Sequence, residues 1–167
     1  MAVAHRERGS GVSTVGGLDL STKAIDLCLI DENTGAFFRH HTWELGGSKD
    51  VLIERIRNIG IWFPGPYSAF WGDVAAVGIE RPIGTHGAAQ VSMSFGAVLS
   101  RLPRTLLVED MTPPAWKSRV GLKGNAKKEE IEEWARQSGC PELKQPDGYD
   151  AFGIARATYS AVERVAA

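Results

Sequence analysis

The sequence predicts an α/β fold built on a five-stranded mixed sheet, three strands antiparallel and two more parallel to the first, with helices packed on both faces. Three observations predict it. Residues 15–43 alternate short apolar runs with tight-turn signals and show no helical period. Two later apolar runs are each followed by a helical pattern, the signature of strand–helix alternation. The chain has 167 residues, 43% hydrophobic and 23% charged, which suits one domain with a core and excludes a disordered, collagenous or coiled-coil chain. No apolar run approaches the roughly 18 residues of a membrane span. Polar residues 1–14 carry no stretch of signal-peptide length, so the sequence predicts a cytoplasmic protein with a flexible tail over 1–14 and one domain over 15–167. Cys28 and Cys140 have no CxxC spacing, consistent with reduced thiols in that compartment.

The elements follow in order. Val15 to Ser21 and Ala24 to Ile30 are apolar strands joined by a hairpin at Ser21-Thr22-Lys23, and Asp31 to Gly35 turns the chain into a third strand, Phe37 to Trp43. Ser48 then caps a helix with Val51, Leu52, Ile56 and Ile59 at helical spacing, ended by Pro64 and Pro66. Val74 to Ile79 reads as a strand buried on both faces, followed by a small-residue helix from about 86 to 101 and a second buried strand, Thr105 to Val108. Thr112 and Pro113 start a short helix. A charged amphipathic helix runs from Asn125 to Ser138, and a last helix from Asp147 to Val165. This order of strands and helices is the ribonuclease H-like arrangement, which actin-like ATPase lobes share, so the fold alone does not choose the function.

Four acids stand where packing would not put them. Asp19 lies between Leu18 and Leu20 in an apolar strand, and Glu80 ends the run Val77-Gly78-Ile79. Asp147 and Asp150 are three apart at the start of the last helix and share a face. Singly, each has a plain structural reading: Asp147 as a helix cap, Asp150 as a complement to the helix dipole, Asp19 and Glu80 as sheet-end acids pointing into water. Together, if the first and fourth strands are neighbours, they crowd one place, where their repulsion calls for a hard divalent cation such as Mg²⁺ or Mn²⁺. Two such ions about 4 Å apart would activate a water and stabilise a leaving oxygen in phosphodiester hydrolysis.

With these residues in view, the chain resembles the RuvC-like Holliday junction resolvases along nearly all of its length after residue 14. The resemblance rests on Gly17-Leu-Asp-Leu-Ser21, Val77-Gly-Ile-Glu-Arg-Pro82 and Gln145-Pro-Asp-Gly-Tyr-Asp-Ala151. It implies that Asp19, Glu80, Asp147 and Asp150 bind two Mg²⁺ ions, with Mn²⁺ substituting. It also implies that Lys128, in the stretch Gly121 to Glu129, contacts phosphate, and that a homodimer cuts opposed strands of branched DNA. Pro114-Ala-Trp-Lys117 is similar to an element of bacteriophage members. Bacterial members carry an aromatic residue shortly after the second acid; here Ile83 stands there, which implies a range extending to forks and flaps.

Charge is distributed to match. The whole chain has a formal net charge of −1, yet residues 101–128 hold seven basic residues against two acids, a net +5, with −6 on the remainder. Of these, Lys117, Arg119, Lys123, Lys127 and Lys128, with Arg81 beside Glu80, are the expected DNA contacts; Trp116 is a further candidate. The plain alternative is a solvated face on which Lys127 and Lys128 pair with Glu130 to Glu133. His40 and His41, adjacent in a strand, face opposite ways and cannot share a metal. Three other functions remain at this point: a ribonuclease acting on RNA–DNA hybrids, a non-cleaving junction-binding module, and an actin-like nucleotide-binding protein. The last is disfavoured because the chain has no second lobe and no GxxxxGK[ST] loop.

Overall fold

In the computed structural model, residues 13–21, 23–46, 52–83 and 88–166 are described. Three strands open the chain, β1 (Thr14–Leu20), β2 (Ala24–Asp31) and β3 (Phe37–Glu44). They are followed by α1 (Leu52–Trp62), β4 (Val74–Glu80), α2 (Ala88–Arg101) and β5 (Leu107–Met111). Helices α3 (Pro113–Arg119), α4 (Lys128–Gln137) and α5 (Asp147–Ala166) complete it. The sheet order is β3-β2-β1-β4-β5, with β2 antiparallel to both β1 and β3, and with β4 parallel to β1 and β5 parallel to β4. This is the mixed sheet that the sequence predicts.

Strand alternation sorts the side chains into two cores. Leu18, Leu20, Ile25, Leu27, Val77 and Ile79 face a layer that includes Ile59 and Phe63 around α1 and Val98 of α2. Val15, Cys28, Ile30 and Ala76 face the other way, against Phe152, Ile154 and Ala155 of α5 and Trp116 of α3. On this second face the register forms three rows. Ile30, Val15 and Ala76 make an apolar row, and Cys28, Gly17 and Gly78 a row of small residues. Asp26, paired with Asp19, and then Glu80 at the end of β4 bring carboxylates to one end of the sheet.

The small row seats α5. A Cβ at Gly17 would come closer than 3.0 Å to the backbone of Ala151 and Ala155, and one at Gly78 closer than 3.0 Å to Thr158 Oγ1. Glycine at both positions therefore lets α5 lie directly on β1 and β4, and its N-terminus, with Asp147 and Asp150, falls at the acidic end.

Several boundaries differ from expectation, each for a local reason. Thr14, expected in the tail, opens β1 and is buried, its N–H donating to Asp73 O at 2.7 Å. The fifth strand is Leu107–Met111 rather than 105–108, and it lies at the sheet edge with Leu107 60% exposed, so it is not a buried strand. Helix α4 begins at Lys128 rather than Asn125, because the Lys127 N–H donates to Glu130 Oε2 at 2.8 Å and closes the helix entrance there. Thr112 precedes α3 without a side-chain capping bond, and Pro113 supplies the start. Asp147 is the first helical residue of α5 rather than its cap. Residues 1–12, Ser48, Val51 and His86 lie outside the described residues. Both cysteines are free and buried, and burial pushes the Cys140 thiol up to about 12.

Candidate active site

Carboxylate oxygens of Asp19, Asp147 and Asp150 lie within 4.8 Å of one another, each side chain partly buried. Asp19 comes from the end of β1 and the other two from the first turn of α5, one turn apart, so the juxtaposition depends on the glycine seat described above. Burial, and then the charges of Asp150, Glu80 and Asp147, hold the Asp19 carboxyl well above the usual carboxylate range. Asp150 is pushed up to about 6, chiefly by burial, with Lys128 opposing the shift and Glu80 adding to it.

Glu80 stands beside this triad rather than within it. Its Oε2 accepts a 2.5 Å hydrogen bond from Trp116 Nε1, and burial raises its carboxyl above the ordinary value despite that bond and the nearby Lys117 and Lys128. Trp116 is fully buried, which overturns its candidacy as a DNA contact: its ring is core, and its N–H holds an acid.

Lys128 does not pair along its own helix. Its ammonium bonds Asp147 and lies 3.8 Å from Asp150. Burial would lower the Lys128 ammonium, but the hydrogen bond and charge of Asp147, with the charges of Asp150 and Asp19, outweigh it and raise it. Lys117 Nζ donates to Ala126 O at 3.0 Å and lies 5.5 Å from the Trp116 ring centroid. Arg81 pairs with Asp110, and Arg119 with Glu109 at 2.5 Å, so the two β5 acids hold two of the expected DNA contacts. Lys123 and Lys127 are exposed.

One residue of this site was not among the candidates. Asp26, 2% exposed, faces Asp19 across the β1–β2 pair, and its Oδ1 accepts from Thr42 Oγ1 at 2.7 Å and bonds His40 Nε2 at 2.9 Å. The signal was the same as for Asp19, an aspartate inside an apolar strand. His41 points to the opposite face and stacks on Trp43 with centroids 5.6 Å apart, as strand alternation predicts.

The donors fit a hard divalent ion. They are all oxygen, they converge within one coordination sphere, and their mutual repulsion is compensated only in part by Lys128 and Lys117.

No family model and no curated protein matches the chain. Solved structures do. A Thermus thermophilus RuvC structure is 22% identical and superposes with a TM-score of 0.67, over 90% of this chain and 96% of that one. A second, T. thermophilus RuvC in complex with Holliday junction substrate, is 18% identical with a TM-score of 0.66 over the same shares. The fold is RuvC-like. The resemblance drawn from three short motifs thus extends to the tertiary structure, and the RuvC-like fold is ribonuclease H-like, with the acidic end of the sheet formed by β1, β4 and the start of α5. Among the described residues no helix is long and apolar enough to cross a membrane.

Proposed function

We propose that this chain is a divalent-ion-dependent endonuclease that cleaves four-way junctions and other branched DNA, forks and flaps included. The observation that carries the reading is the convergence of Asp19, Asp147 and Asp150 in a RuvC-like fold. The likeness to a RuvC bound to Holliday junction substrate supports the choice of DNA. In this reading the strands and helices from Thr14 to Ala166 form one nuclease domain. Asp19 and Asp150 would hold Mg²⁺ ions, with Glu80 and Asp147 completing the set and Mn²⁺ as a substitute. Such ions supply Lewis-acid activation of a water and charge for the departing oxygen.

The chain's own groups do the rest. Trp116 keeps the Glu80 carboxylate oriented toward the site. Lys128, which pairs with Asp147 in this structure, would contact the phosphate at or next to the cut. Lys117, Lys123, Lys127, Arg81 and Arg119 neutralise neighbouring phosphates. Cleavage leaves 5′-phosphate and 3′-hydroxyl ends. A homodimer presents two such sites to the two-fold of a junction, and the exposed apolar side chains Ile53 and Ile61 of α1 and Met93 and Leu99 of α2 are the surface offered for it.

The test is cleavage by the purified protein with Mg²⁺ of a four-way junction, a Y-fork, linear duplex and RNA–DNA hybrid. Paired symmetric nicks in the junction and cuts in the fork are expected, both lost in Asp150→Asn. Asp147→Asn should abolish cleavage while keeping junction binding. Cleavage of the hybrid alone would make the protein a ribonuclease, and tight binding without cleavage would make it a binding module.

A further inference from the structure

Helix α5 follows one row of the sheet from β4 to β3. The small residues that seat it, Gly78, Gly17 and Cys28, are continued across the register into β3 by His40. A Cβ at Gly78 would meet Thr158, and one at Gly17 would meet Ala151 and Ala155, so the helix runs back toward its N-terminus as the row runs toward β3. At His40 it reaches a large side chain. A Cβ at Gly148 would come within 2.8 Å of His40 Nε2 and 3.0 Å of His40 Cε1. Gly148 is buried and lies in the first turn of α5 between Asp147 and Asp150.

The ring is not free to yield. Its Nε2 lies 2.9 Å from Asp26 Oδ1, and since a carboxylate only accepts, Nε2 donates. Thr42 Oγ1 donates to the same oxygen at 2.7 Å, holding the acid from the position that faces it in β3. Asp26 is buried, and these two donors offset the cost of taking its carboxylate out of water. A methyl at Gly148 would also meet Leu143 Cδ1 at 2.8 Å, but that is the end of a flexible side chain and can shift. The His40 ring, tied through Asp26 to two strands, cannot.

We propose that Asp26 and His40 are positioning residues: the acid clamps the ring, and the ring fixes the first turn of α5 at Gly148, setting how Asp147 and Asp150 stand to Asp19. The proposal rests on the ion-binding reading above and deepens it. The experiment is Mn²⁺ binding to the whole chain by calorimetry, with folding of each variant followed by thermal unfolding. His40→Ala should weaken binding about tenfold. Gly148→Ala should weaken it to a similar extent by forcing a methyl against the held ring. The double variant, in which the methyl takes space that the ring vacates, should bind more tightly than either parent. Asp26→Ala releases the ring and should match His40→Ala, whereas Asp26→Asn, whose amide oxygen still accepts from both donors, should recover most of the loss. Unchanged affinity in His40→Ala, or a double variant no better than its parents, overturns the clamp while leaving the nuclease standing. Asp26→Asn as poor as Asp26→Ala also overturns it, since Asp26 would then act through its charge. Wild-type protein that takes up no Mn²⁺ overturns both.

Discussion

Asp150 is the residue whose proton reports most directly on the site. Its folded carboxyl titrates at about 6 against an ordinary 3.8. The folded state therefore holds this proton more tightly than the unfolded one. Its stabilising contribution is complete below the unfolded value and is lost as pH rises through the folded one, a difference of at most about 3 kcal/mol. Asp19 and Glu80 are shifted in the same direction. Metal-free protein should accordingly melt at a higher temperature at pH 5.5 than at pH 7.5, and Mg²⁺, which favours the charged carboxylates, should reverse that trend. Thermal unfolding across this range with chelator or with Mg²⁺ checks it; parallel curves would remove the ion from these acids. Lys128 gives a second prediction at this scale. Its ammonium stands against Asp147 in the metal-free site, so Lys128→Met should tighten Mn²⁺ binding about fivefold by calorimetry, even as it weakens cleavage.

At the scale of elements, the arrangement depends on how closely α5 lies on β1 and β4. Gly17 and Gly78 each stand two residues before an acid on the same face of their strand, so the residue that admits the helix and the residue that meets it belong to one alternation. Gly17→Ala drives a methyl into the α5 backbone. It should lower stability by about 3 kcal/mol in denaturant unfolding and weaken Mn²⁺ binding with it, because the helix that moves carries Asp147 and Asp150. A loss of stability with unchanged ion affinity would show that the acidic end is set by something other than this seat. Helix α3 does a comparable job for Glu80 through Trp116. A tryptophan beside a lysine in a basic segment reads as a DNA contact, yet the ring faces inward, because its large apolar area is worth more in the core and its N–H finds a half-buried carboxylate.

Over the whole molecule, the positive band is less free than its net charge suggests. Arg81 and Arg119 are held by Asp110 and Glu109, and Lys128 by Asp147. DNA must compete for these cations, and a phosphate gains only what the carboxylate gives up. Asp110→Asn frees Arg81 and should tighten junction binding several-fold at low salt, with the gain fading as salt is raised, in gel-shift titrations with Ca²⁺ present to prevent cleavage. Equal affinity at all salt concentrations would place Arg81 away from the DNA path.

The sequence by itself determined the strand and helix order, the two-faced sheet and the identity of the acids, because these follow from local periods and from the cost of placing Asp19 in an apolar strand. Asp26 carries the same signal in β2, an aspartate inside an apolar strand, although it was not among the candidates. Only the tertiary structure decided how these acids are used. Whether a carboxylate shares an ion or accepts a hydrogen bond depends on register across β1, β2 and β4 and on the approach of α5, contacts between residues as far apart as Asp19 and Asp150. Thus Asp19 meets Asp147 and Asp150, Glu80 is tied to Trp116, and Asp26 is closed off by His40 and Thr42. Spacing along the chain shows which groups are costly to bury. The partners that offset that cost are brought by the fold.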